Sequence, residues 1–258
     1  MHRGAFVDWF GRDHARFLRR FAGEWWYPKD DGRAELLAYS LAAGLVNAAE
    51  VRPAPPEWNG PKHSVIVRIA QQYEVSDLPI RNLDEAVAAE LVFSLWIRRR
   101  DTHAFNRVYV DGIPVFFDHH IAFGVMEIEN RTTGGFLRDG GDGGYVPRWR
   151  VLPAGSEAPV VTGPMRSINR SLNHAIHAVS DVDGFLAAMG CWIDTVTSRD
   201  LSDLERRVGR AGFLDDETAP ICRLLRRSQA ELPVMAARVC RLLSEPMDDR
   251  LREPALLS

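Results

Sequence analysis

Apolar positions recur along this chain with two different periods. In "RAELLAYSLAAGL", Leu37, Leu41 and Leu45 fall at helical spacing and mark one face of a helix. "SVIVRIAQQYEV" is β-branched and apolar, the pattern of a buried strand. Leu83, Val87, Leu91 and Leu95 again share a helical face, with Asn82 at the cap and Glu85 three residues later. "RVYV" and "IPVFF" flank Asp111-Gly112 and predict a hairpin, because both central residues of the tight turn need positive φ. Helical periodicity then runs over roughly 167–179, 181–197, 201–211, 216–228 and 231–244.

Between these segments the signals are weaker. Residues 6–22 mix aromatic and basic positions and suggest a short helix, Trp25–Lys29 a strand, and Asp30–Gly32 a turn. Residues 52–61 carry four prolines and read as a loop. Residues 131–148 carry six glycines and read as a mobile loop. The class expected is α+β, with a small sheet-containing N-terminal lobe over 1–76 and a mainly helical lobe over 77–258.

Composition narrows the picture only in places. The 258 residues carry a formal net charge of −3, so no whole-chain argument favours nucleic acid or an anionic membrane. Of the basic residues only Lys29 and Lys62 are lysines, which draws attention to each. Cys191, Cys222 and Cys240 are odd in number and lack metal-ligand spacing; buried free thiols in a reducing cytoplasm are expected. The N-terminal residues lack the apolar run of a signal peptide, and no stretch approaches the ~20 apolar residues of a spanning helix. A cytoplasmic protein with no membrane span is therefore expected.

The hairpin carries the candidate chemistry. A two-residue turn returns the chain to its starting end, so "DTHAFN" before the first strand and "DHH" after the second become neighbours. Asp101, Asn106 and Asp118 then offer two carboxylates and an amide carbonyl, hard oxygen ligands that suit Mg²⁺ with phosphate oxygens and water.

"DTHAFNRVYVDGIPVFFDHHIAF", Asp101 to Phe123, resembles the catalytic and metal-binding loops of the protein-kinase-like superfamily. It is most similar to the phosphatidylinositol 3-/4-kinase branch, which includes HipA-like bacterial kinases and actin-fragmin-type kinases. The resemblance implies a reduced two-lobed kinase-like fold and ATP- and Mg²⁺-dependent transfer to a protein, lipid or small-molecule hydroxyl. Asp101 would receive or orient that hydroxyl, His103 would orient the catalytic loop, and Asn106 and Asp118 would hold the metal ions. Upstream, "WWYPKDDGRAELLAYSLAAGL" is similar to the family's lysine strand and acidic helix. Lys29 would then bind phosphate oxygens with Glu35 as its partner. Gln72, Tyr73, Glu74 and Val75, in "QQYEV", would form the hinge against adenine.

Other readings stay open. Asp101, His103, Asp118, His119 and His120 are also the residue types of a DHH-type phosphoesterase centre on Mn²⁺ or a similar ion. That centre needs further acidic motifs on a parallel sheet, and no such β/α alternation precedes residue 100. A catalytically silent pseudokinase scaffold is the third reading: His119-His120 stand where the family has Phe-Gly, and no glycine-rich loop precedes Lys29. Singly, each residue also has an ordinary explanation. Lys29 fits a solvated turn, Glu35 a first-turn acid, Asp118 a strand end, and Arg98–Arg100 the cations of a last helical turn. "HAIHA", 174–178, lacks a third ligand nearby. P-loop, nucleophile-elbow and zincin motifs do not occur.

Overall fold

The computed structural model describes residues 17–69, 73–99, 107–119, 122–123 and 181–244. Strands β1 (Arg19–Phe21) and β2 (Glu24–Lys29) are joined by Ala22-Gly23 at φ of +50° and +84°. Positive φ at both turn residues matches the twist of the flanking strands. Helix α1 (Arg33–Ala42) follows, then β3 (Val51–Pro53) and β4 (Val65–Arg68). The sheet order is β1-β2-β4-β3, antiparallel throughout, with Trp26 opposite Arg68 and Lys29 opposite Val65.

The short helix expected over 6–22 is corrected where it can be seen. Residues 19–21 are a strand, because Arg19 and Arg20 pair with Trp26 and Trp25 across the tight turn. Residues 6–16 lie outside the described residues.

Helix α1 is seated directly on this sheet. The Gly32 amide donates to the His63 carbonyl at 3.0 Å. A Cβ at position 32 would fall 2.0 Å from Val65 Cγ2, so glycine is what allows α1 to begin so close to β4.

The later part of the chain is mostly helical. Helix α2 (Leu83–Trp96) is buried at every position from Ala86 onward, as a helix enclosed on all sides must be. Asn82 caps it, accepting from the Glu85 amide at 3.0 Å. Helices α3 (Val182–Thr197) and α5 (Asp215–Ser244) pack against α2, and the short α4 (Leu204–Arg210) packs against α5. The two helices expected at 216–228 and 231–244 are one helix that runs through Pro233. Leu225 and Leu232, on either side of the expected gap at 229–230, are both buried in the core and carry the helix across it. The expected 167–179 helix, the glycine-rich 131–148 segment and "HAIHA" lie outside the described residues. The thiols are not uniformly buried: Cys222 is, but Cys191 is exposed on α3. Among the described residues no helix is long and apolar enough to cross a membrane.

The hairpin of β5 (Arg107–Val110) and β6 (Ile113–Phe116) links the two parts, turning at Asp111 and Gly112 with φ of +48° and +84°. Val108 and Val115 share a core with Val51, Val65 and Val67 of the sheet. The Phe116 amide donates to the Asn47 carbonyl at 2.7 Å, and the Ala49 amide to the Phe116 carbonyl at 2.8 Å. The buried Asn47 side chain donates to the carbonyls of Ile80 and Pro114 and accepts from the Ile80 amide. The result is a coarse two-lobed α+β layout with the hairpin between a sheet-containing part and a helical part.

Candidate functional site

Three charged residues from three elements meet beside the hairpin. Lys29 ends β2, Glu35 lies in the first turn of α1, and Asp118 follows β6. Lys29 Nζ donates to both Glu35 Oε1 and Asp118 Oδ1. The Asp30–Gly32 turn reverses the chain between β2 and α1, which brings Glu35 back onto Lys29 across only six positions. The start of a helix also favours an anion there. Asp118 arrives from 89 residues away, at the exit of the hairpin. Its φ of +66° is in the left-handed region, which Asp tolerates better than most residues.

The centre has a buried floor and an accessible rim. Glu35 is fully buried, whereas the Lys29 and Asp118 side chains are 15 % and 24 % exposed. His119 is buried beside Glu35: its amide donates to Glu35 Oε1 at 2.8 Å, and its Nδ1 lies 3.4 Å from Oε2. The imidazole also meets the Phe93 ring edge-on at 6.1 Å. Its Nε2 is buried with no hydrogen-bond partner among the described residues.

Burial alone would raise the Glu35 carboxyl, but the Lys29 ammonium and the neighbouring His119 hold it down to about 2. Burial works against the Lys29 ammonium, yet Glu35 and then Asp118 lift it above the ordinary lysine value. Burial, followed by the Arg99 guanidinium, pushes the His119 imidazole pKa down.

A carboxylate on an accessible rim offers the oxygen donors that suit a hard divalent cation. Asp118, 24 % exposed beside Lys29, carries such a carboxylate. Asn106, the second expected ligand, lies outside the described residues, as do Asp101, His103, Gln72 and His120. Among the described residues no three His, Cys, Asp or Glu side chains gather as a metal-binding group.

The remaining expected residues sit at the far end of β4. Lys29 is opposite Val65, at the start of that strand, while the chain leaves β4 after Arg68 and reaches Tyr73. The Tyr73 hydroxyl accepts from the Glu50 amide, and the Arg68 guanidinium lies 4.6 Å from the ring centroid. Burial pushes the phenol pKa up. Glu74 and Asp77 cap each other across the 3₁₀ turn Val75–Asp77.

The helix-end arginines are where sequence reasoning missed structure. Arg98 donates to Ser228 Oγ at 2.7 Å and to Glu231 Oε2 at 3.0 Å, tying the end of α2 to α5. Arg99 is buried, contacts Glu90 and donates from Nη2 to the Phe117 carbonyl at 2.7 Å. They lie beyond the last turn of α2 and anchor it, rather than serving as the cations of that turn. Only their place between α2 and the "DTHAFN" segment hinted at it.

The chain matches no protein-family model, no curated protein and no solved structure.

Proposed function

We propose that this chain is an ATP- and Mg²⁺-dependent phosphotransferase of the kinase-like type. The observation that carries the reading is the junction of Lys29 with both Glu35 and Asp118. The same three positions emerge independently from the resemblance, as phosphate-binding lysine, its acidic partner and metal-binding carboxylate. In this reading residues 1–76 form the small lobe and 77–258 the large one. Residues 72–75 would form the hinge between them, after the strand paired with the lysine strand.

The roles follow from the chemistry of the side chains. Lys29 offers a cation to phosphate oxygens, with Glu35 and Asp118 keeping it charged and oriented. Asp118 and Asn106 would hold Mg²⁺, which would neutralise charge on the transferring phosphoryl group. Asp101 would receive or orient the acceptor hydroxyl, and His103 would steady its loop. Phosphoryl transfer depends chiefly on such positioning and charge stabilisation. The acceptor is a hydroxyl of protein, lipid or small molecule.

Calorimetric titration of the full chain with ATP, with and without Mg²⁺, tests the proposal. Saturable binding that strengthens with Mg²⁺ and weakens in Lys29→Ala is expected. No binding in either condition would overturn it. Stoichiometric Mn or Zn in protein purified without chelator, lost when His119 and His120 are both replaced, would favour the phosphoesterase instead.

A further inference from the structure

Helix α1 carries Glu35, yet both of its ends are held by residues of the C-terminal helices. At its start, Arg33 Nη1 contacts both carboxylate oxygens of Glu217, on α5, at 3.1 and 3.0 Å. The Arg33 guanidinium also lies 5.1 Å from the Phe213 ring centroid. At its end, the last-turn carbonyls receive guanidinium donors. Arg207, on α4, donates to the Ser40 carbonyl at 2.7 Å, and Arg199, just after α3, donates to the Leu41 carbonyl at 2.8 Å.

These contacts answer a need of the helix. The last four carbonyls of an α-helix lack partners within it and carry partial negative charge. In α1 the Ala42 carbonyl accepts from the amides of Leu45 and Val46, and the arginines serve the two carbonyls before it. Burial, then the nearby Arg207 guanidinium, lowers the Arg199 pKa. Asp203 compensates, accepting from Arg207 Nε at 2.9 Å, and Arg199 also lies 5.8 Å from the Trp96 ring centroid. Two like charges held at one helix end mean that the position of that end is specified.

We propose that Arg199, Arg207 and Glu217 are positioning residues of the Lys29–Glu35–Asp118 centre: they fix α1 from both ends and so hold Glu35 within reach of Lys29. The helical part of the chain thereby sets the geometry of a pair that belongs, by sequence, to the sheet-containing part. The meaning of this for nucleotide binding rests on the function proposed above; the geometric role does not.

The two-lysine composition supplies a direct readout. The full chain is treated with an amine-acylating reagent, and labelling rates at Lys29 and Lys62 are resolved by mass spectrometry. Glu35→Gln defines the rate at Lys29 without its partner. In Arg199→Ala/Arg207→Ala, Lys29 should label about tenfold faster relative to Lys62, as expected from losing a charge-assisted hydrogen bond of ~1.5 kcal/mol. Arg207→Lys, which keeps a cationic donor, should stay close to wild type. An unchanged Lys29 rate in the folded double variant would overturn the proposal, as would a rise that Arg207→Lys shows equally. Should the double variant fail to fold, Glu217→Gln, which loosens only the start of α1, is judged by the same Lys29 rate. Faster Lys29 labelling in a protein that binds no nucleotide would keep the positioning role and remove the functional reading.

Discussion

Arg99 donates to the Phe117 carbonyl at 2.7 Å, one residue before Asp118, while its own side chain lies against Glu90. Both members of that pair are nearly solvent-free, with side chains 1 % and 7 % exposed. Removing one member of a buried pair strands the other charge and costs ~3–5 kcal/mol, whereas replacing both with apolar residues costs far less. Arg99→Ala should therefore lower unfolding free energy by about that amount in urea titrations. Arg99→Met/Glu90→Met should recover much of the loss. A double variant as unstable as the sum of its singles would show that the pair is not the unit that matters.

Acid should weaken the protein through Glu35. Its carboxyl is held at about 2 against an ordinary 4.5. A lowered folded-state pKa contributes stability that is complete above about 4.5 and is lost as pH falls toward about 2. The contribution is about 3 kcal/mol in all. Unfolding free energies at pH 7 and pH 3 should converge in Glu35→Gln relative to wild type. Equal losses in both proteins would assign the acid limb to other carboxylates.

Asp118 tests the proposed ligand role. At a hundredfold excess over its dissociation constant, ATP with Mg²⁺ should stabilise the wild type by ~2.7 kcal/mol. Asp118→Asn should abolish the Mg²⁺-dependent part of that stabilisation. Identical thermal shifts in variant and wild type would remove Asp118 from metal binding.

Asp101 should behave differently. As the residue facing the acceptor hydroxyl, its loss in Asp101→Asn should slow transfer by ~10²–10⁴-fold. ATP affinity, measured by calorimetry, should change little. Loss of nucleotide binding in this variant would mean that its assigned role is wrong.

How far these features were legible depended on how local their causes are. The Asn82 cap and the Asp111-Gly112 turn are chemistry between neighbours, and both were readable. The Ala22-Gly23 turn was not, because alanine at φ of +50° carries no sequence signal and three-residue β1 is too short to show alternation. The gap expected at 229–230 is helical instead, because packing around Leu225 and Leu232 is invisible in a local window. Arg98 and Arg99 suited a helix C-terminus by rule, but their partners stand 133, 130, 18 and nine positions away. The resemblance put Lys29 and Asp118 in one site, but their direct contact was not readable, since periodicity says nothing about residues 89 apart.

That separation has a kinetic side. Glu35 can find Lys29 as soon as the β2–α1 turn forms, but Asp118 can join only after a long stretch of chain has closed on itself. Loop closure of this length is entropically opposed until other non-local contacts reward it. On these grounds Lys29 is expected to meet Glu35 early and Asp118 only late, once the hairpin docks. Interactions absent from the folding transition state influence unfolding more than folding. In stopped-flow experiments Asp118→Asn should accelerate unfolding and leave the refolding rate nearly untouched; a slowed refolding limb would place hairpin docking in the nucleus.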